Sequence, residues 1–156
     1  MSTNLDDLLQ QSRSRAGADL RGLIDQPERH MNAAAFRAFV DEVRLWAMAT
    51  SGKNGSPHIA PVHMSITDDD ELQMTIHVES VRMRDIDRDP RVAFTGWAEG
   101  GRMAIIYGEA SVIPGSERVS GAGGREKPVV RLKITPTRIY AMDPARFLTR
   151  VITNLS

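Results

Sequence analysis

The sequence predicts a mainly β fold: a six-stranded antiparallel barrel with N-terminal helices and one short helix between its third and fourth strands. The prediction rests on three observations. Apolar and polar residues alternate with a period of two beyond Arg44, short turn signals separate the alternating segments, and few helix-length patterns interrupt them. Parallel strands would need helical crossovers between them. The strands must therefore pair antiparallel, and the sheet has to curl to bury one face.

The N-terminal part of the chain is predicted to be helical. Apolar residues recur at the i, i+3, i+4 spacing of an amphipathic helix within residues 5–9 and 20–24. Asn32 is positioned to cap a further helix. We interpret residues 1–43 as a helical clasp on a barrel domain of residues 44–156, the two forming one structural domain.

The individual strands follow from the alternation and from the turns between them. Turns are indicated by Asn54-Gly55, which tolerates positive φ, by the aspartates at 68–70 and by Glu-Gly-Gly at 99–101. The glycine-rich segment 115–124 is predicted to be a surface loop. The predicted strands lie at residues 45–50, 60–66, 72–78, 91–97, 103–113 and 130–134, with a closing strand at 138–142.

Composition excludes several classes of function. The 20 basic and 20 acidic residues balance, so no overall field attracts nucleic acid or an anionic membrane. The chain has no cysteine, which excludes disulfides, thiolate metal ligands and cysteine nucleophiles. The polar N-terminus is unlike a signal peptide and no apolar run is long enough to span a membrane, so we predict a cytoplasmic protein.

The histidines predict no metal site. His58 and His63 are five residues apart on one predicted strand and face opposite sides. His63 and His77 approach each other across a predicted hairpin, but two imidazoles fall short of a catalytic zinc site, so we expect them to line a groove. Among the aromatic residues, Trp46 is predicted to be a core or interface residue, and Trp97 is the candidate for stacking on an aromatic ligand.

The basic segment 80–91 is the strongest candidate for a binding site. Ser80 can cap a short helix there, and Asp89, which precedes a proline, must end it. Arg82 and Arg84 lie in the first turn, beside free N–H groups and the positive end of the helix dipole, which favours an oxyanion. The alternative is a solvated helix whose arginines pair with its own aspartates. Spacing alone gives the two interpretations equal weight.

Five short motifs, in this order, resemble a known family. They are AMAT at residues 47–50, GSPHIAPV at 55–62, RDPRVAF at 88–94, YGEA at 107–110 and RLKITPTRIY at 131–140. Together they resemble the pyridoxamine 5′-phosphate oxidase-like superfamily of flavin and deazaflavin proteins, which share an FMN-binding split β-barrel. The resemblance covers residues 44–143.

The resemblance implies a homodimer with two cofactors, FMN or the deazaflavin F420, held in grooves at the subunit interface. It implies that Arg82 contacts the cofactor phosphate and that Ser80 assists it. Arg84 is predicted to assist as well, from its position in the same helical turn. The resemblance sets Pro61, Val62 and His63 along the flavin edge, and Ile76 and His77 beside the ribityl chain and ring. With Trp97 these are the predicted cofactor-binding residues.

The implied function is an FMN-dependent oxidoreductase that acts on a small organic substrate, with no catalytic residue identified. The C-terminal segment lacks the Arg/His signature that would indicate pyridoxamine phosphate as that substrate. The alternatives are an F420-dependent reductase of the same fold, a non-catalytic flavin-binding stress protein, and a haem-binding or haem-degrading protein.

Overall fold

The computed structural model describes residues 4–144. Helices α1 to α4 are Leu5–Ser14, Ala18–Ile24, Ala33–Glu42 and Val81–Arg88, and two 3-10 turns cover Pro27–Arg29 and Glu99–Gly101. Strands β1 to β8 are Trp46–Ser51, Pro57–Val62, Ser65–Ile66, Leu72–His77, Arg91–Ala98, Arg102–Val112, Arg118–Ser120 and Lys127–Met142. The predicted mainly β class, and the short helix that interrupts the strands, are confirmed.

One antiparallel sheet contains every strand of residues 4–144. Its order is β2-β1-β5-β6-β8-β4-β3, and β7 pairs separately with β8. Only His63 and Met64 separate the two edge strands, β2 and β3. Because consecutive Cα atoms are about 3.8 Å apart, Val62 and Ser65 lie within about 11 Å of each other. The sheet therefore curls until its edges approach, which is the split-barrel arrangement.

The described residues form eight strands where about six were predicted. The predicted strand at 60–66 divides at His63 and Met64 into the end of β2 and the two-residue β3. The loop prediction for 115–124 is corrected by β7, whose three residues are all exposed and show no alternation. Strands this short leave no periodic signal in a sequence.

The two predicted C-terminal strands are a single strand, β8, that passes through Pro136. Proline lacks the N–H that a central strand needs, and the ladder between β6 and β8 accommodates it with a register shift between Tyr107 and Gly108. A Cβ on Gly108 would lie 2.5 Å from the Thr135 carbonyl oxygen, so only glycine fits at this close approach.

The main core fills the barrel and extends under α1 and α3. Trp46 is fully buried, as predicted, and meets Phe39 of α3 edge to face with ring centroids 5.7 Å apart. The Ser12 hydroxyl on α1 accepts a hydrogen bond from the Ile139 backbone N–H, which ties the helix to β8. None of the helices described is long and apolar enough to cross a membrane.

Candidate functional site

A cleft of about 480 Å³ lies where the two edges of the sheet meet. Its volume falls within the range of about 300–1,000 Å³ that is typical of small-molecule sites. One wall comes from the end of β2 and its connection to β3, and the other from β4. The cleft is lined by Pro61, Val62, His63, Met64, Ser65, Gln73, Met74, Thr75, Ile76, His77, Arg82, Arg118 and Arg131.

Most of the predicted cofactor-binding residues are brought together in this cleft. They are Pro61, Val62, His63, Ile76, His77 and Arg82. Val62 and Ile76 are buried, whereas the histidines are exposed, as the alternation along β4 requires for Ile76 and His77. The sequence separation of these residues is large, and only the curled sheet makes them neighbours.

Helix α4 opens directly into the cleft. The Ser80 hydroxyl caps it by accepting a hydrogen bond from the Met83 backbone N–H at 3.1 Å, as predicted. Arg82 lies in the first turn and lines the cleft, and its Nε is buried without a hydrogen-bond partner among the described residues. A buried N–H donor left unpaired costs about 1–3 kcal/mol. An oxyanion at the start of this helix would remove that cost, so the residues present fit a phosphate group.

Three of the predicted binding residues do not line the cleft. Ser80 borders a smaller adjoining pocket with His77, Glu79, Lys127 and Pro128. Arg84 points along the helix and donates to the Glu79 carbonyl oxygen at 3.2 Å. Trp97 lies at the far end of β5 and is 65% exposed.

Asp85 also lies on α4, but its side chain is turned away from the cleft. Its side chain is fully buried and accepts hydrogen bonds from Thr50 Oγ1 at 2.8 Å, His58 Nδ1 at 2.6 Å and Arg88 Nη2 at 2.5 Å. Burial by itself would raise the pKa of Asp85, but the hydrogen bonds from His58 and Thr50 and the charges of His58 and Arg88 outweigh it and lower the pKa. This carboxylate fastens α4 to β1 and β2.

A second ion pair, between Asp89 and Arg91, lies at the C-terminal end of α4. It does not involve Arg82. Asp89 accepts hydrogen bonds from the Arg91 side chain, which is the main reason that the pKa of Asp89 falls to about 2. The alternative prediction, in which the arginines of this helix pair with its own aspartates, is correct for Arg88, which pairs with Asp85. No ion pair among residues 4–144 includes Arg82. The self-paired interpretation therefore applies at the C-terminal end of the helix.

A second cleft, of about 500 Å³, lies on the outer face of the sheet. Directly paired residues on neighbouring strands share a face, and Ile59, Ala49, Ala93 and Tyr107 are paired in that order across β2, β1, β5 and β6. Ile59 is 75% exposed. Arg138 lies over the Tyr107 ring, 4.6 Å from its centroid. Ala49 and Ala93 lie between the exposed side chains of Ile59 and Tyr107, so this face is shallow and flat.

Sequence reasoning missed two arginines of the first cleft, Arg118 on β7 and Arg131 on β8. Arg131 stands directly opposite Thr75 in the β4–β8 ladder. That pairing joins residues far apart in the chain, so no local pattern reveals it. Among the described residues, no group of three or more His, Asp or Glu side chains could hold a metal ion.

The family model for pyridoxamine 5′-phosphate oxidase matches residues 33–143. The chain belongs to the pyridoxamine 5′-phosphate oxidase family. The matched segment contains α3, every strand of the sheet and α4, and therefore both clefts. The comparison with curated proteins finds no match to this sequence.

Solved structures share the split-barrel fold at low sequence identity. A conserved hypothetical protein from Mycobacterium tuberculosis is 21% identical, with a TM-score of 0.62 over 78% of this chain and 91% of the other. An F420 reductase is 15% identical, with a TM-score of 0.56 over 66% and 94%. A pyridoxamine 5′-phosphate oxidase-related, FMN-binding protein from Nostoc punctiforme is 14% identical, with a TM-score of 0.51 over 62% and 72%.

Proposed function

We propose that this protein is a flavin-dependent oxidoreductase that holds FMN in the cleft between β2 and β4, with Arg82 on the cofactor phosphate. The observation that carries the proposal is the buried, unpartnered Nε of Arg82 at the start of a capped helix. A phosphate there would accept from the guanidinium and from the free N–H groups of the first turn. The deazaflavin F420 fits the same arrangement, because an F420 reductase shares the fold.

The other lining residues would position and shield the cofactor. The backbone of residues 61–63 follows the cleft wall at the edge strand β2, where an unpaired strand edge has N–H and C=O groups to offer a ring system. Ile76 provides a buried apolar surface on the opposite wall. When bound, the flavin supplies the hydride chemistry, and the chain binds it, orients it and excludes water.

We infer that the protein acts as a cytoplasmic homodimer, with the outer face of β2, β1, β5 and β6 at the interface. The exposed Ile59, the alanines beside it and Tyr107 support this assignment, since a contiguous apolar face on a small protein marks an interaction surface. Pro61 lies two residue pairs along the same ladder, on the same face as Ile59, and also lines the first cleft. A partner on this face would therefore border the cofactor.

Ile59→Asp is expected to convert a dimer into monomers, because it introduces a charge into the proposed apolar contact. Light scattering after size exclusion at micromolar concentration measures the change. Val119→Asp is the matched control, since Val119 is 64% exposed but lies on β7, away from this face. A wild-type protein that is monomeric with cofactor bound would contradict the dimer.

The function is tested by the small molecule that the protein retains on purification, identified by mass spectrometry and absorbance. FMN or F420 supports the proposal, and a Soret band from haem would overturn it. Turnover of NAD(P)H or reduced F420 with a panel of small organic acceptors then separates an enzyme from a flavin carrier. Flavin retention without any turnover would favour the carrier.

A further inference from the structure

The charge of the first cleft exceeds what a single phosphate needs. Of the residues that the structure describes, three arginines and two histidines line it, and no aspartate or glutamate does. Elsewhere among the described residues the chain pairs arginines with carboxylates, as in Arg37 with Asp70, Arg91 with Asp89, and Arg102 with Glu42. The cleft arginines have no such pair within residues 4–144. Like charges gathered without a counter-charge repel one another, so the site is suited to more than one anionic group.

The arginines occupy two levels along β4. Arg118 Nη2 donates to Thr75 Oγ1 at 3.3 Å, and Arg131 is the direct partner of Thr75 in the ladder. Thr75 and Arg131 are both exposed and share a face. Arg82, by contrast, lies on α4, beyond His77, the last residue of β4. Thr75 and His77 are about 7 Å apart along the strand.

We propose that Arg118 and Arg131 form a second anion subsite, which takes a carboxylate or phosphate group of the substrate. The proposal rests on the proposed function, in which the cofactor phosphate occupies Arg82. Thr75 holds the Arg118 guanidinium at the level of Arg131, so that the two can converge on one oxyanion, and paired guanidinium groups bind oxyanions more strongly than a single one. Arg118 comes from the short β7, so the glycine-rich segment around it contributes substrate specificity.

The subsite is tested with inorganic phosphate as the probe, titrated by calorimetry into FMN-loaded protein, in which the Arg82 level is already filled. We expect binding that weakens about tenfold in Arg118→Ala and in Arg131→Ala, with FMN affinity unchanged. Arg125→Ala is the matched control, because Arg125 is an exposed arginine of the same segment that does not line the cleft. Equal phosphate affinity in wild type and both variants would overturn the proposal.

The source of the second anion is settled by loading the protein with F420, whose tail carries carboxylates. Loss of F420 affinity in Arg118→Ala, with FMN affinity retained, would assign the subsite to the cofactor tail and overturn its assignment to the substrate. Failure of the proposed function looks different: wild-type protein would then bind no flavin, while phosphate titrated into the flavin-free protein would still show a site lost in Arg118→Ala.

Discussion

We expect Asp85→Ala to lower the free energy of unfolding by about 2–3 kcal/mol, because it removes a buried acceptor shared by three donors. The Thr50 hydroxyl is buried and would lose its partner, whereas Arg88 and His58 are each more than 40% exposed and regain water. The expected loss is therefore smaller than for a fully buried ion pair. Urea denaturation followed by tryptophan fluorescence measures it, with Asp87→Ala, an exposed neighbour on the same helix, as control.

The contribution of Asp85 should also depend on pH. Its pKa in the folded protein lies below the value in the unfolded chain, so the stability it provides is fully present above the unfolded pKa and is lost as pH falls towards the folded pKa. The difference in unfolding free energy between wild type and Asp85→Asn should thus be constant near neutrality and shrink below about pH 4. A difference that stays the same down to pH 3 would contradict an ionised, stabilising Asp85.

Arg82→Ala is expected to weaken FMN binding about 10- to 100-fold and to leave riboflavin binding unchanged, because a charge-assisted hydrogen bond contributes about 1.5–3 kcal/mol. Riboflavin lacks the phosphate, so it reports on the rest of the cleft alone. Quenching of flavin fluorescence during titration gives both affinities. Unfolding in urea should be unchanged or slightly improved, since the variant removes a buried N–H that has no partner.

Arg84→Ala is the matched control for this experiment. It removes the same charge from the same helix, but Arg84 binds the Glu79 carbonyl oxygen and does not line the cleft. We expect its FMN affinity to stay within about twofold of wild type, as is usual for an exposed charge remote from the ligand. Equal losses of FMN and riboflavin affinity in Arg82→Ala would mean that Arg82 supports the cleft and does not bind phosphate.

Local features of the sequence predicted the parts of the site that depend on local structure. The Ser80 cap and the end of α4 at Asp89 follow from residue types within one segment, and the structure has both. The alternation along β4 separates Ile76 from His77 correctly. A strand of six residues and a helix of eight contain enough repeats for their periods to appear in the sequence.

Features that depend on pairing between distant segments were not predictable. Arg131 belongs to the cleft because β8 lies beside β4, and Arg118 because the three-residue β7 reaches Thr75. Trp97 was predicted to stack on an aromatic ligand because it precedes a turn. That turn lies at one end of β5, whereas α4 joins the other end, at Arg91. No local pattern in α4 indicates that Asp85 binds Thr50 and His58, which lie on β1 and β2.

The most direct measurement is the crystal structure of the protein with FMN bound. We expect the phosphate within hydrogen-bond distance of the Arg82 guanidinium at the start of α4, and the ring between residues 61–63 of the β2 wall and Ile76 of β4. FMN bound instead in the second cleft, beside Arg91 and Arg138 with Arg82 Nε still unpartnered, would contradict the account.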